Sequence, residues 1–426
     1  MPVLRNISQL AVCPSGGAQQ NAGLIRNAAL VWRGDTILWV GPHDQMPSQF
    51  NTEPVTDCGG GLLIPGLIDC HTHLCFGGWR GDEFERRLGG ATYQEIAQSG
   101  GGIASTVAAT RGASLGSLVR KALRHLDGML RLGVTTVECK TGYGLDLENE
   151  LKQLEVYHQA GRRHPLTLVP TFLGAHVVPR EFQNDREGYI RLLCDELLPE
   201  VSRQHKTAFC DVFVESGAFT TGEAKRVLTA ARQHGLGIKI HADQLSDGGG
   251  ALLAAELGAR SAEHLEYVSA EGIQALARAG VVAVSLPLAS LYLRERYMPA
   301  RQMLSAGVGV AVATDFNPGS APSYHLPLAL TLACLNQGMT PQEALMGATT
   351  VAALALGMQD TIGSLQPGHQ ADFTLIDAPD LNHWLYHFRG NACIGVVKKG
   401  EWINQGGEIP DVALTRGGVT DHWSQG

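Results

Sequence analysis

After residue 62 the chain repeats one pattern eight times: a short apolar run rich in β-branched residues, then a stretch whose apolar positions recur three and four apart. The runs occupy residues 64–70, 134–139, 166–172, 209–214, 236–240, 260–263, 281–286 and 308–314. Stretches such as 117–132, 223–234 and 270–279 lie between them and end at or near Gly, as helices do. Strand and helix in strict alternation build parallel sheets, and eight units predict an α/β fold of the TIM-like (β/α)8 barrel type. Outside this region, residues 29–41 alternate around Gly34-Asp35 as a hairpin does, and residues 371–377 and 394–400 resume the pattern. The two ends are therefore expected to pair into one small β domain.

Composition excludes several other classes. With 426 residues, 44% hydrophobic and 17% charged, the chain suits a large folded body and not a disordered one. Lys and Arg number 33 against 41 Asp and Glu, a formal net charge of -8, and no basic stripe is interleaved with aromatics, so nucleic acid is not an expected partner. The first residues lack a secretory pattern and no apolar stretch reaches spanning length, so no membrane is expected and the cytoplasm is. Nine scattered cysteines, an odd number, fit reduced thiols; Cys70 and Cys75 are expected to fill core. The Gly-rich patches at 59–61, 100–102 and 248–250 lack phosphate-binding spacing.

Barrel chemistry gathers at the carboxyl ends of the strands. His71 and His73 follow the first run, Lys140 and Tyr143 the second, His176 the third, Glu215 the fourth, His241 the fifth, His264 the sixth and Asp315 the eighth. In extended chain, residues two apart share a face, so His71-Thr72-His73 aims two imidazoles at one point. Alone, such a pair is more often surface or core histidine, His241 a buried imidazole bonded to backbone, and Asp315 a helix cap. Four groups at matching strand ends change that balance. His71, His73, His241 and Asp315 offer three nitrogens and one oxygen, the donor set of one divalent metal, zinc or iron. Lys140 follows strand two, whereas Glu215 follows strand four, so a carbamylated lysine bridging two metals does not fit and one metal is expected.

The motif Pro65-Gly66-Leu67-Ile68-Asp69-x-His71-x-His73, with the later His and Asp positions, resembles the amidohydrolase superfamily. The pieces Lys140-Thr-Gly-Tyr-Gly-Leu145, Phe172-Leu-Gly-Ala-His176, Ile240-His-Ala-Asp-Gln244, Ser261-Ala-Glu-His-Leu-Glu266 and Ala313-Thr-Asp-Phe-Asn-Pro-Gly-Ser320 are similar to those of the imidazolonepropionase family. The resemblance spans nearly the whole chain. It implies a barrel over residues 63–360, a β-sandwich assembled from 1–62 and 361–426, and a homodimer.

It also implies a reaction, the hydrolysis of the ring amide of 4-imidazolone-5-propanoate to N-formimidoyl-L-glutamate by attack of a metal-bound hydroxide. In that scheme Asp315 carries the proton and His264 hydrogen-bonds the hydroxide or the developing oxyanion. Arg80 clamps the propionate, and Tyr143, His176, Gln244, Asn317, Gly319 and Ser320 match substrate-binding positions. Without that scheme Arg80 would read as a solvated loop residue, Tyr143 as cover for a turn and His176 as a structural cap. Some relatives carry Glu where this chain has Gln244, and a carboxamide orients a ring without exchanging protons. The second reading is a deaminase of a purine, pyrimidine or related heterocycle, which would share the metal ligands and His264 but has no use for Arg80. A non-catalytic homologue is disfavoured by the complete ligand set.

Overall fold

The computed structural model describes residues 1–90, 95, 100–204 and 206–403. Among the described residues sixteen strands form two sheets. The first sheet takes β1 (Val3–Ala11), β2 (Leu24–Arg33), β3 (Thr36–Pro42), β4 (Val55–Asp57) and β5 (Leu62–Pro65) from the amino-terminal end. The barrel sheet follows with β6 (Leu67–Asp69), β7 (Val134–Lys140), β8 (Thr167–Ala175), β9 (Phe209–Val214), β10 (Gly237–Ala242), β11 (Ser261–His264), β12 (Val282–Ser285) and β13 (Val310–Val312). The chain then returns to the first sheet with β14 (Phe373–Ile376), β15 (Cys393–Lys398) and β16 (Glu401–Trp402).

The eight barrel strands pair in chain order and in parallel, as the alternating pattern predicts. The seam between β13 and β6 closes just past the strand ends. There Thr72 bridges Phe316, and the Asp315 amide donates to the His71 carbonyl at 3.0 Å. Helices cover the outside where periodicity placed them. Leu115–Arg131 buries Leu118, Val119, Ala122, Leu126 and Met129 on one stripe and is capped by the Ser114 hydroxyl; Thr221–Gln233 opens on a Thr220/Glu223 capping box. The helix Ala270–Ala279 ends at Gly280, whose φ of 66° lies in the left-handed region.

One expected strand divides. Residues 64–70 read as a single apolar run, yet Leu62–Pro65 runs between β14 and β1 in the terminal sheet and only Leu67–Asp69 enters the barrel. Both sheets bury their strands here, so the run is apolar throughout and its hydropathy does not mark the crossing. Gly66 does: its amide donates to Asp372 of the terminal domain, and a Cβ there would overlap the Thr135 side chain of β7. The β2–β3 hairpin turns at Gly34-Asp35, and β14 lies against β5, so the two ends share one eight-stranded sheet. Of the tail assigned to this sheet, residues 404–426 lie outside the described residues. No disulfide joins the nine cysteines, all of which lie among the described residues, and Cys70 and Cys75 are buried. Among the described residues no helix is long and apolar enough to cross a membrane.

Candidate metal centre

The carboxyl ends of the barrel strands surround a cavity of about 470 Å³, with His73, His241, His264 and Asp315 among the residues that line it. His71 stands beside them, fully buried. The backbone there is bent to aim these groups: Asp315 has φ 55° and His264 φ 75°, left-handed values that non-glycine residues adopt at a cost.

Four donor atoms converge. Asp315 Oδ1 lies 3.3 Å from His71 Nε2 and 3.4 Å from His73 Nε2, and the Nε2 atoms of His73 and His241 are 3.5 Å apart. Ligands about 2.0–2.1 Å from a tetrahedral zinc lie about 3.3–3.4 Å from one another, so these separations fit the edges of one coordination tetrahedron. The other nitrogens of two of these rings face carboxylates: His71 Nδ1 is 2.6 Å from Glu263 Oε2, and His241 Nδ1 is 2.8 Å from Asp211 Oδ2. A carboxylate can only accept, so each Nδ1 carries a proton and each Nε2 is the nitrogen turned inward, with a lone pair to offer whenever its ring is neutral. Three nitrogens and a carboxylate oxygen this close need a proton or a cation among them. The residues present therefore fit a divalent metal. A nitrogen of His264 also comes within 4.8 Å of donor atoms of His71 and His241.

The electrostatics agree. Burial holds the imidazolium of His73 and His241 down, His241 to about 3 despite Asp211, which leaves neutral rings suited to ligation. Burial opposes the Asp315 carboxylate, yet the neighbouring imidazoles of His71 and His73 outweigh it and hold the carboxyl well below its ordinary range. For His71, burial is outweighed by Glu263 and the ring is held up at about 9, so a metal at Nε2 must displace a proton.

The substrate-side residues predicted from the sequence gather on the walls of the same cavity. His176 stacks on His73 with ring centres 5.2 Å apart, and Tyr143 packs against both rings. His176 Nδ1 lies 3.1 Å from the Gly142 carbonyl, which requires a proton on Nδ1. Burial, reinforced by His73 and His241, keeps the ring neutral, so Nε2 remains an acceptor. Gln244 sits between two clamped neighbours. The Asp243 carboxylate accepts the amides of Gly248, Gly250 and Ala251, and Glu215 accepts those of Leu245 and Ser246.

Arg80 does not stand as a free clamp. Its Nε and Nη2 both donate to Glu83 Oε2, at 2.8 and 2.7 Å, and Glu83 Oε1 accepts the Gly102 amide at 2.8 Å. Glu83 thus occupies one edge of the guanidinium, whereas Nη1 lies over Gly319, where a Cβ would overlap it. The Asn317 side chain is fully engaged within its own loop: Nδ2 donates to the Asp315 carbonyl and Ser320 Oγ, and Oδ1 accepts the amides of Gly319 and Ser320. These bonds hold the loop that forms this part of the cavity wall. Ser320 Oγ in turn lies 3.4 Å from Asp315 Oδ2.

Lys140 is placed by strong pairing. Its Nζ lies 2.8 Å from Asp211 Oδ2, 2.8 Å from Glu263 Oε2 and 3.1 Å from Glu138 Oε1, all fully buried. Burial opposes its charge, but these carboxylates outweigh it and hold the ammonium well above its ordinary range. Three carboxylates this close would repel a carbamate at that nitrogen. Glu83, Glu138, Asp211, Lys239 and Glu263 were not foreseen. The available signal was charge inside apolar strands: Glu138, Asp211, Lys239 and Glu263 each interrupt a buried run, and Lys239 shares its face with His241.

A sequence profile described as "Amidohydrolase family" matches residues 62–403. An imidazolonepropionase of Symbiobacterium thermophilum is 49% identical over 399 residues, covering 92% of this chain and 94% of the relative. Another, of Geobacillus kaustophilus, is 46% identical over 391 residues, covering 91% and 92%. Among solved structures, a 5-methylcytosine deaminase from Klebsiella pneumoniae superposes with a TM-score of 0.72 at 16% identity, covering 95% of this chain and 97% of that one. The last is a likeness of fold alone.

Proposed function

The chain belongs to the amidohydrolase family, within it to the imidazolonepropionases, and from that premise we infer that it hydrolyses the ring amide of 4-imidazolone-5-propanoate to N-formimidoyl-L-glutamate. The observation that carries this reading in the molecule is the pairing of a convergent metal-ligand set with an arginine in one cavity. A neutral purine or pyrimidine has no use for that guanidinium, whereas a propionate does.

In this reading His71, His73, His241 and Asp315 hold one divalent cation, zinc or iron. When bound, the cation supplies a Lewis acid for the ring carbonyl and lowers the pKa of a water molecule toward ~7. The chain supplies the rest. Arg80, its side edge fixed by Glu83, presents its outer edge to the propionate. His176 Nε2 accepts from a ring N–H, and Tyr143 and Gln244 flank the ring. Asp315 keeps Oδ1 toward the imidazoles and leaves Oδ2, beside Ser320 Oγ, to take the proton of the attacking water and pass it to the leaving nitrogen. His264, at the edge of the ligand cluster, hydrogen-bonds the developing oxyanion. Because Gln244 cannot ionise, proton transfer rests on Asp315 and His264.

The same reading places the enzyme in the cytoplasm as a homodimer. Nine cysteines with no disulfide among them support a reducing compartment, and the family resemblance supports the dimer, which sedimentation tests.

The direct test mixes the purified protein with freshly generated 4-imidazolone-5-propanoate and follows loss of imidazolone absorbance and formation of formiminoglutamate, with metal counted per chain. About one metal and rapid turnover are expected, with Arg80→Met raising KM strongly at unchanged metal content. Bound metal with deamination of a neutral heterocycle instead would overturn the substrate assignment.

A further inference from the structure

Below the ligand layer lies a second charged layer that no step above employs. Glu138, Lys140, Asp211, Lys239 and Glu263 are all fully buried, and none lines the cavity. They are tied by contacts of 2.8–3.2 Å between two ammonium groups and three carboxylates. Buried charges on this scale are costly unless something fixes their partners, and the atoms involved show what is fixed.

The two lysines are not equivalent. Lys140 Nζ contacts Asp211 Oδ2 and Glu263 Oε2, each at 2.8 Å, and those are the very oxygens that face His241 Nδ1 at 2.8 Å and His71 Nδ1 at 2.6 Å. Lys239 Nζ reaches Glu263 through the other oxygen, Oε1, at 3.2 Å, and Glu138 at 3.1 Å. One ammonium therefore sits behind both ligand imidazoles, while the second braces the cluster from the side.

We propose that Lys140 is a positioning residue for the metal centre: by holding Asp211 Oδ2 and Glu263 Oε2 in place it fixes the Nδ1–H tautomer and the orientation of His241 and His71 together. The proposal rests on the reading of those two histidines as ligands. Both oxygens lie 2.8 Å from one nitrogen, so the two carboxylates are near neighbours that repel in a dry interior unless a cation lies between them. Without Lys140 they separate, the Nδ1 protons lose their acceptors, and each Nε2 lone pair loses its direction. Loss of such support to ligand histidines lowers metal affinity about 10–100-fold.

Zinc affinity, measured by competition with a chelating dye, tests this on four full-length proteins: wild type, Lys140→Met, Lys239→Met and His71→Ala. Both lysine variants remove one buried ammonium from one cluster, so a merely structural role predicts equal effects. We expect Lys140→Met to bind zinc about 10–100-fold more weakly, Lys239→Met to stay within about threefold of wild type, and the cobalt-loaded Lys140→Met protein to show altered visible bands. Equal losses in the two lysine variants, or wild-type affinity in Lys140→Met, would overturn the proposal. Unchanged affinity in His71→Ala instead sinks the ligand reading, whereas lost affinity there with unchanged Lys140→Met sinks only the role of Lys140. Should Lys140→Met not fold, Lys140→Gln combined with Glu138→Gln keeps the net charge of the layer and carries the same comparison, with the same weakening expected and wild-type affinity again overturning the idea.

Discussion

Thr314 donates both its amide, at 3.0 Å, and its hydroxyl, at 2.6 Å, to the carboxylate of Asp69. Asp69 ends the first barrel strand and Thr314 follows the last, so this pair joins the two edges of the barrel immediately below the bond from the Asp315 amide to the His71 carbonyl. The same hydroxyl accepts the Phe316 amide at 3.2 Å. The seam and the ligand set are thus one construction. Thr314→Val leaves Asp69 Oδ2 without its donor in a fully buried site, and a loss of about 1–3 kcal/mol is expected in urea denaturation. Thr314→Ser keeps the hydroxyl and recovers most of that loss. Identical midpoints for wild type and Thr314→Val would refute the seam's contribution.

Arg80, the proposed clamp for the propionate, is expected to depend on two residues that meet its guanidinium. Glu83→Gln replaces a charge-assisted bond to Arg80 with a neutral one while leaving an oxygen for the Gly102 amide. The guanidinium is then less firmly held, and KM for imidazolone propionate rises about 3–10-fold with kcat little changed, the loss of ~1 kcal/mol of positioning. Gly319→Ala acts from the other side, because its Cβ would meet Arg80 Nη1 and displace it. Its KM rises likewise, with an unchanged melting temperature. Steady-state kinetics checks both, and a fall in kcat at constant KM would show that Arg80 serves the chemical step instead.

The parts of this molecule that were legible in the chain are those that one local pattern specifies. The eight barrel strands, the helix Ala270–Ala279 and the hairpin at Gly34-Asp35 follow from period and turn chemistry, and the expected ligands follow from position at strand ends. The division of 62–69 between two sheets was hidden, because both sheets bury that run and neither leaves a polar face to set a register. The charged layer was hidden for a different reason. Glu138, Asp211, Lys239 and Glu263 look unfavourable one at a time in apolar strands, and only their mutual distances in space make them intelligible. Glu83 was missed because its partners, Arg80 and the Gly102 amide, join a helix start to a distant loop.

Gly66 carries the chain from the terminal sheet into the barrel at a point where only a hydrogen atom fits. A Cβ there would overlap the Thr135 side chain, which belongs to a buried strand and is β-branched, so it has little freedom to turn aside. Gly66→Ala is expected to destabilise the protein by about 1–3 kcal/mol. Thr135→Ala in the same chain should relieve part of the clash, and a double-mutant cycle by chemical denaturation measures the coupling. Strict additivity of the two changes would show that the glycine is required for some other reason.

Glu223 offers a pH signature away from the cavity. It closes the capping box with Thr220 and accepts Arg186 Nε at 2.7 Å and Nη2 at 2.8 Å. The bond from Arg186 is the main cause that holds its carboxyl down at about 2, against 4.5 for a free glutamate. A folded-state pKa below the unfolded one contributes stability that is fully present above about 4.5 and is lost as pH falls toward about 2. Glu223→Gln retains the capping geometry, since Gln also serves at that position, and removes only the charge. Because the pair is partly in water, the variant is expected to be less stable than wild type by about 1 kcal/mol at pH 7. That gap stays constant down to about pH 4.5 and narrows below it. Urea denaturation of both proteins at pH 7, 5 and 3 reads the gap directly, and a difference that persists undiminished at pH 3 would mean that the glutamate acts through packing and not through its charge.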